Sequence, residues 1–130
     1  MKILIVEDDN VSRNFLFKFL SNYGECDISV DGIEALDTFS MAIRDGEPYD
    51  LVCLDIMMPK LDGIKTLKAI RQIEKKEGIE ESKICKVIMT TALNDIGTIA
   101  KTYNHDCEAY AVKPINTEKF IEVMKSLKLI

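Results

Sequence analysis

Residues 51–63 read LVCLDIMMPKLDG, and the reading of this stretch decides the fold. Leu51 to Leu54 form an unbroken apolar run, as in a strand with both faces covered. The run stops at one carboxylate, Asp55, and Ile-Met-Met-Pro follows. Strands covered on both faces belong to parallel sheets sandwiched by helices. Taken alone, an aspartate at such a tip is a turn residue. Its meaning depends on how the other strands end.

Four more apolar runs stand at intervals along the chain: KILIV (2–6), CDISV (26–30), KVIMT (86–90) and AYAV (109–112). The second alternates Asp27 and Ser29 with Ile28 and Val30, which suits a strand near an edge. Between the runs lie helical stripes. Val11, Phe15, Phe19, Leu16 and Leu20 form one, and Ile33, Leu36, Phe39 and Ile43 a second. Ile64, Leu67, Ile70 and Ile73 form a third, and Phe120, Val123, Met124 and Leu127 the last. A weaker helical pattern covers about 95–104. Gly24, Gly46 and Gly78 stand where helices should stop, and Asp31, Asp62 and Asn116 where they should start. Strict alternation of strand and helix predicts right-handed crossovers and an open, doubly wound five-stranded parallel sheet.

With 130 residues the chain has the size of one domain and needs no disulfide or metal to fold. Cys26, Cys53, Cys85 and Cys107 lack the spacing of a zinc site and read as reduced packing or surface residues. A net charge of −5 argues against direct nucleic-acid binding. No apolar run is long enough to span a membrane, so no membrane insertion and a cytoplasmic location are expected. The mixed-charge stretch RQIEKKEGIEESK reads as a solvated helix end and loop. With no linker after the last helix, a single domain over 1–130 without an effector domain is expected.

Ligands of such sheets bind outside the carboxyl ends of the strands. Those ends carry Glu7-Asp8-Asp9, Asp55, Thr90-Thr91-Ala92 and Lys113-Pro114. Acids after a strand can equally cap the next helix, and for Asp9 that alternative stays open. Together, though, acids, a hydroxyl and an ammonium group at one edge suit phosphoryl transfer. Clustered carboxylates repel one another unless a hard cation such as Mg2+ sits among them. Asp55 would then be the nucleophile, since a carboxylate can form an acyl phosphate.

The segments LIVEDD, LVCLDIMMPKLDG, VIMTTA and AYAVKP resemble, in order, the signature segments of the response-regulator receiver domain. The resemblance implies a flavodoxin-like fold with strand order 2-1-3-4-5, an architecture for which this family is itself the standard illustration. It implies Asp55 as phosphoacceptor, and a Mg2+ site made of Asp8, Asp9, Asp55 and the Met57 carbonyl. Thr91 becomes the switch hydroxyl, Ala92 offers its N–H to the phosphoryl group, Lys113 pairs with that group, and Tyr110 is the switch aromatic. The bond between Lys113 and Pro114 is expected to be cis. A sensor histidine kinase or histidine phosphotransfer protein is the implied donor, and a protein surface made by the helix near 95–104, the fifth strand and the last helix the output. Such a domain is no turnover enzyme; it promotes its own phosphorylation and a slow autodephosphorylation, as a monomer or a weak phosphorylation-dependent dimer. Met57 and Leu93, both apolar, flank the expected path of the hydrolytic water.

Two departures stand out. Asp106 replaces the usual small residue four before Tyr110, and KKEGIEESKIC is longer than the pattern needs. His105 lies outside the four segments and reads as a polar residue near a helix end. The main rival is a haloacid-dehalogenase-like aspartyl phosphatase, but the acid/base aspartate it requires two residues after the nucleophile is Met57 here. A flavin carrier, the third possibility, would need a phosphate-binding loop after the first strand, and none is present.

Overall fold

The five apolar runs become five strands of one parallel sheet: β1 (Lys2–Val6), β2 (Glu25–Ser29), β3 (Leu51–Asp55), β4 (Lys86–Ala92) and β5 (Ala109–Lys113). Their order is β2-β1-β3-β4-β5, and all pairs are parallel. This computed structural model describes residues 1–92 and 106–130. The helix expected near 95–104, Leu93 and His105 lie outside the described residues.

Four helices belong to the described residues: α1 (Asn10–Leu20), α2 (Gly32–Arg44), α3 (Gly63–Lys76) and a C-terminal helix (Thr117–Ser126). Each begins at a side chain that accepts a hydrogen bond from an otherwise unpaired N–H of the first turn. Asp9 accepts from Ser12 N at 2.9 Å, Asp31 from Glu34 N at 2.8 Å, Asp62 from Lys65 N at 2.9 Å and Asn116 from Lys119 N at 3.1 Å. Gly46 and Gly78 follow α2 and α3 in the left-handed region, at φ of 74° and 69°.

Alternation along the strands sorts the core into two layers. Ile3, Ile5, Leu51, Cys53 and Ile88 meet α1 and the C-terminal helix on one face. Leu4, Val6, Val52, Leu54, Val87 and Met89 meet α2 and α3 on the other. Two expected stripes are only partly core. In α1 the buried pair is Leu16 and Leu20, while Val11 is 78% exposed and Phe15 43%. In α2, Phe39 is buried with Ala35 and Ala42, while Ile33 is 53% exposed. Phe17 in the middle of α1 is also 38% exposed, and Met41 near the end of α2 is 57% exposed, so solvent reaches apolar side chains along both helices. The charged stretch after Ile70 also departs from its reading as a solvated end, because Glu74 is 2% exposed and Arg71 is largely buried.

Candidate functional site

Alternation also selects the residues that meet at the carboxyl edge. Counting by two from the buried residues of one face, Ile3 and Ile5 lead to Glu7, Leu51 and Cys53 to Asp55, and Ala109 and Ala111 to Lys113. The three therefore project from the same face. Lys113 Nζ lies 2.6 Å from Glu7 Oε1 and 3.3 Å from Asp55 Oδ1. Glu7 is 1% exposed and Asp55 4%. By the same count Thr91 shares the opposite face with Tyr110, whose strand neighbour is Met89.

Carboxylate oxygens of Glu7, Asp8 and Asp55 all lie within 4.8 Å of one another. Asp9 is not among them. Its carboxylate is turned to the N-terminus of α1, where the Ser12 N–H holds it below the ordinary carboxylate range. Asp9 thus takes the capping role that the sequence left open. Its expected place beside Asp8 and Asp55 is filled by Glu7, a residue not singled out from the sequence. Counting by two along β1 would have found it.

Burial pushes the Asp55 carboxyl up to about 7, and the neighbouring Glu7 adds to this by hydrogen bond and charge, while Lys113 opposes it. For Lys113, burial works against the ammonium, but Glu7 and Asp55 outweigh it and hold its pKa above the ordinary value. Three carboxylates against one ammonium leave an excess of negative charge. Octahedral Mg2+ with oxygens at about 2.1 Å needs ligand atoms roughly 3 to 4 Å apart. The oxygen cluster fits such an ion with small adjustments.

Met57 N donates to Asp55 Oδ1 at 3.3 Å, so the chain folds back over the carboxylate just after it leaves the strand. The Met57 side chain is 67% exposed beside this turn. Asp8 is exposed as well, so the acids are reached from solvent over the top of β1 and β3. Gly63 backs the turn: its N–H donates to Ile56 O at 2.9 Å, and a Cβ there would run into the Asp55 carbonyl oxygen. Thr91 is 1% exposed, with its hydroxyl 3.4 Å from the Ala92 carbonyl oxygen, and Ala92 is exposed. The Tyr110 hydroxyl is buried with no hydrogen-bond partner among the described residues. The peptide bond between Lys113 and Pro114 is cis, as expected.

The family model described as the response regulator receiver domain matches residues 3–125. The chain belongs to that family. Receiver domains are phosphoacceptors of two-component signalling. Transcription factor prr1 of Schizosaccharomyces pombe is 30% identical over 95% of this receiver domain, which spans 21% of that protein. Two solved receiver domains share the fold. One, from Saccharomyces cerevisiae Ssk1 in complex with the histidine phosphotransfer protein Ypd1, has a TM-score of 0.79 at 24% identity, covering 100% of this chain and 92% of that one. The other, from a Pseudomonas aeruginosa sensor histidine kinase with magnesium coordinated in its active-site cleft, has a TM-score of 0.73 at 23% identity. It covers 95% of this receiver domain and 94% of its own chain. No helix among the described residues is long and apolar enough to cross a membrane.

Proposed function

We propose that this receiver domain accepts a phosphoryl group on Asp55 from a phosphohistidine of a sensor kinase or of a histidine phosphotransfer protein. One observation carries the reading: Asp55 ends a buried strand inside a cluster of carboxylates, within reach of a lysine, at an edge open to solvent. A carboxylate oxygen of Asp55 attacks phosphorus, the P–N bond breaks, and the departing imidazole keeps the electron pair and takes a proton from solvent. The rigid strand holds the nucleophile in line, which supplies much of the rate in such transfers.

Asp8 and Asp55, with the Met57 carbonyl and Glu7 nearby, are the groups that would hold Mg2+. Bound there, Mg2+ supplies positive charge to the oxygens of the transferred group. Asp9 stays with Ser12. Lys113 then exchanges its hold on the Asp55 carboxylate for the phosphoryl oxygens, and the Ala92 N–H and Thr91 hydroxyl are the remaining donors from β4. Movement of Thr91 toward the phosphoryl group would free space for Tyr110 on the face they share, which links the site to an output surface around β5. The domain works as a monomer or a weak phosphorylation-dependent dimer in the cytoplasm, and it catalyses only its own phosphorylation and slow dephosphorylation.

Intact-mass measurement after incubation with acetyl phosphate and Mg2+ tests this. One added phosphoryl group is expected on the parent and none on Asp55→Asn. Equal labelling of both proteins rules out Asp55. Steady turnover of small phosphate esters would instead favour an aspartyl phosphatase.

A further inference from the structure

At the end of the sheet away from Asp55 lies a second group of charges to which phosphoryl transfer assigns no role. Its centre is Arg71 on α3. Arg71 Nε donates to the Asp106 carbonyl at 2.9 Å, and Nη1 to Glu74 at 2.8 Å and to the Cys85 carbonyl at 2.9 Å. Nη2 donates to both oxygens of Glu108, at 2.8 and 3.1 Å. The guanidinium fork suits such planar, many-partner work as an ammonium does not. The carboxylates are also engaged a second time: Glu74 Oε2 accepts from Cys85 N at 2.7 Å, and Glu108 Oε1 from Val87 N at 2.7 Å.

Glu108 is the decisive member. Its backbone N–H donates to the Val87 carbonyl at 3.0 Å, while its carboxylate accepts from the Val87 N–H. One residue at the start of β5 thus grips both polar groups of one residue in β4. Arg71 holds that carboxylate in place and fixes the preceding turn through Asp106.

A fastener is needed because β5 specifies its own register poorly. Among the described residues it is an edge strand, paired only with β4. Its sequence AYAV is apolar on both faces, so alternation alone discriminates weakly between registers. A slip of one residue would turn Lys113 to the Tyr110 face, away from Glu7 and Asp55, and turn Tyr110 the other way.

We infer that Arg71, acting through Glu108, is a positioning residue: it sets the register of β5 from the far end, and so sets where the Lys113 ammonium and the Tyr110 ring fall. The lever is about 17 Å long, the extended span from Glu108 to Lys113. Its importance for phosphoryl transfer rests on the function proposed above; the register itself does not.

The test uses Arg71→Lys, which keeps a charge but not the fork, and Glu108→Ala, which removes the grip on Val87. Cross-strand amide and α-proton contacts in NMR spectra report the register directly, through the pairs Met89 with Tyr110 and Thr91 with Val112. They are expected to weaken or shift in both variants. Mg2+ titration is the second readout. A displaced Lys113 no longer competes with the cation for Glu7 and Asp55, so both variants should bind Mg2+ at least about threefold more tightly, and Lys113→Ala is expected to do the same. Neither should tighten it further in a Lys113→Ala background. Plain loss of stability predicts no such gain, and Ile70→Val, a buried change on the same helix, serves as that control. Unchanged cross-strand contacts, or Mg2+ affinity that stays level or falls, in whichever variant folds would overturn the inference. If the parent binds no Mg2+ at all, the site proposed above fails, and the NMR contacts alone decide the register.

Discussion

Lys113 sits closer to Glu7 than to Asp55, at 2.6 Å against 3.3 Å, so its principal partner is a residue buried at the end of the interior strand β1. Glu7 thereby keeps the ammonium from neutralising Asp55 outright. Converting Glu7 to glutamine removes one negative charge from the cluster and leaves the lysine with Asp55 alone. Mg2+ affinity of Glu7→Gln, read by titration calorimetry, is expected to fall by about tenfold or more. An affinity equal to that of the parent would show that Glu7 plays no part in holding the ion.

Asp9 should behave in the opposite way. Its carboxylate satisfies Ser12 N in the first turn of α1. Asp9→Ala is expected to lower stability through loss of the cap and to change Mg2+ affinity by less than about threefold. Thermal unfolding and the same titration measure both. A large loss of Mg2+ binding with intact stability would return Asp9 to the metal site.

The Asp55 carboxyl, ordinarily at 3.8 and raised to about 7 by burial and by Glu7, makes stability depend on pH in the metal-free protein. Between these values the folded state holds a proton that the unfolded chain has released. Stability from this group is therefore fully present below about pH 4 and is lost as pH rises through about 7. Melting temperature in the presence of EDTA should fall across that window in the parent relative to Asp55→Asn, which should be the more stable of the two above neutrality. Adding Mg2+ should narrow the gap. Parallel pH profiles for the two proteins would sink this reading.

Gly63 is where α3 begins, directly behind the Asp55 backbone. A Cβ there would also lie 2.7 Å from Ile56 Cα, closer than side chains tolerate. Gly63→Ala is expected to destabilise by about 1–3 kcal/mol and to slow labelling by acetyl phosphate, since the turn that positions Asp55 must shift. Gly46→Ala provides a comparison, because a Cβ at Gly46 meets nothing within 4 Å and its cost arises from φ alone. Unaltered labelling kinetics in folded Gly63→Ala would refute the effect on the site.

The exposed Met57 side chain offers no group to orient a water toward phosphorus. The phosphorylated domain should therefore be long-lived, and Met57→Asn should shorten its lifetime by roughly tenfold, followed by intact mass over time. Rapid decay in the parent, with no acceleration in the variant, would exclude this account.

Much of the architecture was legible because it follows from period and punctuation. Each strand was placed to within two residues, and Asp31, Asp62 and Asn116 start helices as read. What adjacency could not tell was which member of Glu7-Asp8-Asp9 turns inward, since all three are acids and one had to cap α1. The Arg71 group was illegible for another reason. Charges on a helix normally face water, and only the fold brings Glu108 and Asp106, from 35 residues or more along the chain, against Arg71.

The strand order has a consequence for chemistry that no single residue reveals. β4 lies between β3 and β5, so the Lys113 chain must cross a whole strand, about 9.6 Å of lateral separation, to meet Asp55. Thr90, beside Asp55 and on the same face, belongs to the strand that is crossed. The aliphatic stem thus works as a gauge: four methylenes carry the ammonium to the carboxylate, and bulk beneath them would lift it away. A bulkier side chain at the uncharged Thr90 is consequently expected to shift the charge balance of the cluster through volume alone.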